Sequence, residues 1–253
     1  MAALDEILGF CDELLDASSF DDYGPNGLQV PGASEVSRVA TGVSANLELL
    51  ERATDSGAQL VLTHHGLLWG DTLTALSVPM AARLRALLCA DVSLAAYHLP
   101  LDAHPEIGNN ALLRDAIGLE PDERPFGEAK GSAVGVIGRA AEPLEIGELG
   151  RRLAEAVGQN PVVFDSGPDR ISTVGIVTGG GSFAIHEAGQ LGLDALVTGE
   201  PSEPVMGEAR EYGVHFLAGG HYATETLGIR RLGELVAERF EIEHQFIDVP
   251  NPV

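Results

Sequence analysis

Short apolar runs alternate with amphipathic stretches of helical period along nearly the whole chain, and this alternation restricts the possible folds most strongly. "SRVATGV" (37–43), "AQLVLT" (58–63) and "VSLAAY" (92–97) read as strands. Between them, "NLELLERATDSG" (46–57) and "PMAARLRALLCA" (79–90) read as helices, with Asn46 as N-cap of the first and Pro79 in the first turn of the second. The second half repeats the style. "SAVGVIG", "PVVFD", "ISTVGIVT", "DALVT" and "VHFLA" are predicted strands, while 146–158, 182–192 and 202–213 are predicted helices, the last capped by Ser202. A helix over 3–17 opens the chain; a long helix over 222–240 and a strand over 242–249 close it. Strands alternating with helices imply βαβ units, hence an α/β fold with largely parallel sheets. "DYGPNGLQVPG" (22–32) reads as loop, and the charged, Pro- and Gly-bearing stretch 120–131 reads as the loop that divides a first half, 1–120, from a second, 121–253.

The halves also match one another. Residues 37–63 overlay 172–198 without a gap, placing Ser37 on Ser172, Val39 on Val174, Ala53 on Ala188, Gly57 on Gly192 and Thr63 on Thr198. A shared strand–helix–strand pattern with these identities indicates a duplicated unit. In that register His65 falls on Glu200, so both copies put a metal-capable side chain just past the same strand.

Composition limits the rest. With 253 residues and 45% hydrophobic content the chain can bury one large α/β core or two smaller ones. No apolar run is long enough to span a bilayer and the N-terminus does not resemble a signal peptide, so a soluble, cytoplasmic protein without a membrane partner is expected. Cys11 and Cys89 stand apart in helical segments and are expected to be reduced core thiols. The 38 acidic residues against 15 basic ones give a formal charge of -23, and Lys130 is the one lysine. Such acidity fits a protein adapted to high salt, where self-repulsion is screened. It offers no basic patch for nucleic-acid phosphates, so no direct nucleic-acid binding is expected.

Four of the eight histidines sit at equivalent strand ends. "LVLTHHGLLWG" (60–70) ends its apolar run on His64 and His65. Neighbouring side chains on a strand point to opposite faces, so a regular strand would make this pair a poor chelate for one ion. A chain that bends after Thr63 would let each serve a different ion. The next strand of the first half ends in "AAYHLPLDAH", with His98 and Asp102; that of the second ends in "AGGHYATETLG", with His221 and Glu225. Each is a histidine followed four residues later by a carboxylate, and on a helix that spacing puts both on one face. Strand C-terminal ends are where open α/β sheets collect ligands. His64, His65, Asp102, His221 and Glu225 offer three nitrogens and two carboxylates, enough for two divalent ions if one carboxylate bridges, and such donors suit zinc, iron, manganese or nickel. His104, His186, His215 and His244 lack this context. "VTGGGSF" (177–183), with Gly179–Gly181, reads as a tight βα turn with an anion cradle as the minor alternative, and Trp69 and Tyr97 either wall a pocket or pack in the core.

"HHGLLW", "YHLPLDAHPEIGNNA", "TGGG", "DALVTGEPSE" and "AGGHYATETLGIRRL" resemble the signature segments of the NGG-interacting-factor-three-like family, and the resemblance covers almost the whole chain. Its members are commonly labelled GTP cyclohydrolase I type 2 homologues or dinuclear metal centre proteins. The resemblance implies two divalent ions per chain, one held by His65 and Asp102, the other by His64 and His221, with Glu225 bridging. It implies two intertwined, internally duplicated α/β/α halves, and a homohexameric ring with the metals facing its interior. Longer relatives carry an inserted domain for which this sequence is too short. Two functions follow as expectations. The first is a metal-dependent hydrolase in which a bridging hydroxide attacks a nucleotide-like substrate, for GTP at C8 of the purine, with His98 as proton shuttle or as a buttress of Asp102. The second is a metal-binding ring without catalysis, serving as scaffold, metal store or chaperone. Metal-dependent turnover lost in Glu225→Ala would separate them.

Overall fold

The computed structural model describes residues 1–70 and 75–253. In chain order, β1 (Ala2–Ala3) leads into α1 (Leu4–Leu14), followed by β2 (Gly27–Val30), β3 (Glu35–Val36), β4 (Arg38–Ser44), α2 (Leu47–Asp55), β5 (Leu60–His65), α3 (Val78–Ala90), β6 (Ser93–Ala96), α4 (Leu99–Ala103) and α5 (Asn109–Ala116). Then come β7 (Glu120–Ala129), β8 (Ser132–Leu144), α6 (Ile146–Val157), β9 (Val162–Phe164), β10 (Ile171–Val177), α7 (Ile185–Gln190), β11 (Ala195–Thr198), α8 (Val205–Tyr212), β12 (His215–Ala218), α9 (His221–Thr224), α10 (Thr226–Phe240) and β13 (Glu243–Phe246).

The chain forms two compact units. The first comprises Met1–Leu101 together with Gly228–Val249, the second Asp102–Leu227 together with Pro250–Val253. The division therefore falls between Leu101 and Asp102, not in 120–131, and Asp102 belongs to the second unit. The stretch 120–131 is mostly strand: β7 pairs antiparallel with β8, with a register shift between Asp122 and Phe126. Proline and charge, which suggested a loop, are tolerated there because β7 is an edge strand.

The first unit is built on a five-stranded sheet of order β13-β4-β5-β6-β2, parallel except for β2. The central strand β5 is buried from Leu60 to His64, which explains its unbroken apolar run. Asn46 caps α2 as expected, its Oδ1 accepting from the Leu49 amide at 2.9 Å, and Leu49, Leu50 and Ala53 of that helix pack against Ala40, Val61 and Leu94 in the core. The stretch read as loop at 22–32 contains β2, an antiparallel edge strand.

The second unit has a six-stranded mixed sheet of order β7-β8-β10-β11-β12-β9. Its central β10, β11 and β12 are parallel; β7, β8 and β9 add antiparallel pairings. Leu149 and Leu153 of α6 pack with Val174, Ile176, Val197 and Leu217 of the sheet. The duplicated segment keeps its register. Val39 pairs with Leu60 in the first sheet and Val174 with Ala195 in the second, the same offset that overlays the sequences. Ser202 does not cap α8, whose N-cap is Pro204; Ser202 instead donates its amide to the Ser182 hydroxyl at 3.1 Å. Cys11 is buried as expected, and burial pushes its thiol pKa up to about 12, but Cys89 is exposed. Among the described residues no helix is long and apolar enough to cross a membrane.

Candidate metal centre

One group of donors lies in each unit. In the first, His64 and His65 end β5 and His98 follows β6, and one ligand atom from each of the three lies within 4.8 Å of the others. The rings of His64 and His65 converge, with centroids 4.6 Å apart, although the strand pairing continues as far as His65 opposite Ser44. Each imidazole is held through Nδ1. His64 is fully buried and its Nδ1 lies 3.0 Å from the Tyr97 carbonyl, which can only accept; the proton therefore sits on Nδ1, and Nε2 is the basic nitrogen. The His65 Nδ1 meets the Ser44 hydroxyl at 3.0 Å, and the His98 Nδ1 meets Asp22 Oδ1 at 2.7 Å. A partner on one ring nitrogen fixes tautomer and orientation, as metal-ligating histidines require.

Asp22 was not legible as a site residue, because "DYGPNG" carries an ordinary turn signature. Its Oδ2 accepts from the Leu99 amide and from Asn26 Nδ2, both at 2.9 Å, while Asn26 Oδ1 accepts from the His98 amide at 2.9 Å. Burial works to raise its pKa, but the hydrogen bonds from His98, Asn26 and Leu99 outweigh it and hold the carboxyl below its ordinary value.

In the second unit His221 opens α9 and Glu225 lies between α9 and α10, so the helix expected over 222–240 is broken at Glu225 itself. The pair still meets: His221 Nε2 is 3.4 Å from Glu225 Oε2, and its Nδ1 is 3.3 Å from Glu200 Oε1. The Gly-rich turn explains how the buried Glu225 fits. Gly179 has φ of +60°, and a Cβ there would collide with Glu225 Oε1 and stand 3.1 Å from His221 Nε2. Its amide donates to Thr224 Oγ1 at 3.1 Å, and its carbonyl accepts from the Gly199 and Glu200 amides at 3.0 and 3.1 Å. The turn thus packs against the carboxylate side chain. The preceding residue serves the other carboxylate: Asp102 Oδ1 accepts from Asn109 Nδ2 at 2.8 Å and lies 3.4 Å from Thr178 Oγ1. Asn110, fully buried, takes the Thr178 amide at 2.7 Å and donates to the carbonyls of Asp102 and Val134 at 3.2 and 2.8 Å. Oriented imidazoles beside buried carboxylates suit borderline divalent ions. By contrast, His215 is a satisfied core histidine, accepting from the Gly167 amide and donating to the Pro168 carbonyl.

The family profile described as Duf34/NIF3 (NGG1p interacting factor 3) matches residues 2–252. The chain belongs to the Duf34/NIF3 family. A relative from Pseudomonas aeruginosa, named GTP cyclohydrolase 1 type 2 homolog, is 42% identical over 250 residues, 99% of this chain and 98% of that one. A relative of the same name from Pyrococcus abyssi is 42% identical over 247 residues, 97% and 98% of the two chains. Among solved structures, protein ybgI, described as of unknown function, superposes with a TM-score of 0.93 at 38% identity over 100% of both chains. A Thermus thermophilus protein superposes with 0.87 at 30% identity, also over 100% of both. Membership of the Duf34/NIF3 family thus extends over both donor groups and over the whole fold that carries them.

Proposed function

We propose that the protein is a divalent-metal-dependent hydrolase of nucleotide-like substrates, the class of activity named in its relatives' label. The observation that carries this reading is the set of three imidazoles, His64, His65 and His98, each held at Nδ1 and clustered within 4.8 Å. By the family resemblance, His65 and Asp102 would hold one ion and His64 and His221 the other, with Glu225 available to both. Bound divalent ions supply Lewis acidity and lower the pKa of water. The chain's own groups do the rest: Ser44 and Glu200 orient their histidines, Gly179 backs Glu225, and His98, kept in one tautomer by Asp22, accepts or releases a proton at Nε2. Five donors are too few to fill two coordination shells, which leaves positions for substrate. The family resemblance further leads us to a homohexameric ring; light scattering in high salt should find a species well above the 26.5 kDa monomer, and a strict monomer at micromolar concentration would overturn the ring.

The test is metal content per chain after loading and dialysis, followed by turnover of GTP and of a phosphoester. Two ions and metal-dependent turnover are expected, with both lost in Glu225→Ala. His65→Ala and His64→Ala should each weaken one ion more than the other. A single ion held by both histidines would overturn the dinuclear reading. Metal bound without turnover across a broad substrate panel would replace the hydrolase with a scaffold, store or chaperone.

A further inference from the structure

A cleft of about 1330 Å3 opens in the first unit beside α1, between the loop that ends at Asn26 and the segment 67–70. Its wall is firmly built. Gly70 donates its amide to the Tyr23 carbonyl at 2.7 Å. Gln29 Oε1 accepts from the Leu67 and Leu68 amides at 2.8 and 3.1 Å, and its Nε2 donates to the Pro25 carbonyl at 2.9 Å. Gly24 lies so close to the Leu68 carbonyl that no Cβ would fit. The Trp69 indole donates to the Gly66 carbonyl at 3.0 Å. This bracing holds two aromatic rings half in solvent, Tyr23 at 49% and Trp69 at 46% exposure. Large rings fixed on a cleft wall offer stacking surface at little entropic cost. Both rings also approach His98, with centroids 6.0 and 5.2 Å away, so these two rings connect the cleft wall to the histidine cluster.

Charge decides what can stack there. Asp12, Glu13, Asp16, Asp21 and Asp22 line the cleft, and no Lys or Arg occurs among the described residues that do. A phosphate chain entering this space meets only like charge, whereas a flat ring with N–H donors finds both faces and acceptors. We propose that the cleft is the subsite for a planar nitrogen heterocycle, neutral or cationic, stacked against Trp69 and Tyr23 beside His98, with any phosphate chain kept outside. This rests on the nucleotide-like substrate proposed above and fixes which end of it enters.

Trp69 is the chain's single tryptophan, so tryptophan fluorescence reports on this wall of the cleft and its surroundings. The full chain, metal-free and metal-loaded in molar KCl, is titrated with guanosine, GTP and inorganic triphosphate. Guanosine should quench Trp69 saturably in both forms. Triphosphate should leave the metal-free protein unchanged, and GTP should bind it more weakly than guanosine, the gap widening as KCl is lowered. Tyr23→Ala, at a half-exposed position, should weaken guanosine about three- to tenfold, and Asp16→Asn should narrow the discrimination against GTP. Quenching by triphosphate in competition with guanosine overturns the proposal, as does guanosine affinity unaltered by Tyr23→Ala in a variant of wild-type melting temperature. Guanosine binding without metal-dependent turnover of any nucleotide sinks the hydrolase and keeps the subsite; turnover with Trp69 indifferent to guanosine does the reverse.

Discussion

A methyl group on Gly179 would occupy the space that Glu225 Oε1 fills, at a residue whose φ of +60° already disfavours a side chain. Gly179→Ala is therefore expected to cost about 1–3 kcal/mol and to push the carboxylate away from His221. Thermal melts and metal content should fall together; unchanged metal content at wild-type stability would mean that Glu225 does not need this turn. Asn110 makes a different contribution, with three hydrogen bonds from a fully buried amide that tie the Asp102 backbone to Val134 and Thr178. Asn110→Ala leaves two carbonyls and one amide without those bonds, an expected loss of about 2–4 kcal/mol by denaturant unfolding. A loss below a few tenths would show that water replaces the side chain. The sequence marked Gly179 only as part of a tight βα turn, with nothing to tie it to Glu225, and it gave Asn110 no role. Asn110 sits in "GNNALL" like any residue of a helix start, and its bonding depends on strands that arrive later in the chain.

At the scale of elements, the return of α10 and β13 to the first sheet sets a pH dependence. His244 on β13 faces Thr41 on β4, with Nε2 2.8 Å from Oγ1. Burial lowers its pKa from the ordinary 6.5; Glu234 works against this and Arg230 adds to it. A depressed histidine stays neutral when folded at a pH where the unfolded chain takes up a proton. Its stabilisation is thus fully present above about pH 6.5 and is lost as pH falls from there through the folded value. The melting temperature of His244→Gln should therefore fall less than that of wild type between pH 7 and pH 5, relative to each protein at pH 7. Parallel curves would exclude His244 as the cause. What the sequence disclosed at this scale follows the same physics. Central strands such as β5 and β10 are legible because burial on both faces demands apolar runs, and the duplicated unit kept even its strand register. Two of the edge strands, β2 and β7, were not legible: β7 carries Pro121, Pro125 and a cluster of charges because, among the described residues, no strand pairs along its outer side. The metal-capable residues showed as histidines at strand ends, whereas Asp22, which holds His98, is separated from it by most of the first sheet's sequence and has only a turn motif to mark it.

At the scale of the whole molecule, charge is the unresolved tension in this chain. Its ion pairs are mostly exposed: Arg151 with Glu148 and Glu155, and Arg231 with Glu234 and Glu238, all keep a third or more of their side chains in solvent. Such pairs contribute about 0–1 kcal/mol each and weaken as salt is added. If they dominated, KCl would lower the melting temperature. But 15 basic residues cannot offset 38 acidic ones, and the remaining -23 charge repels itself over distances that salt screens within about 10 Å at 0.1 M. Repulsion among the excess carboxylates therefore outweighs the loss of surface pairs, and the acidic cleft in the first unit relaxes along with the rest of the surface. The melting temperature should rise by several degrees from low to molar KCl, each 3 °C or so answering to about 1 kcal/mol for a chain of this length. Sodium chloride should act equally, since the effect is screening, while an isomolar neutral osmolyte at constant ionic strength should not reproduce the steep part of the curve. A flat or falling dependence would mean that the acidity serves solubility alone and that the fold carries no adaptation to high salt.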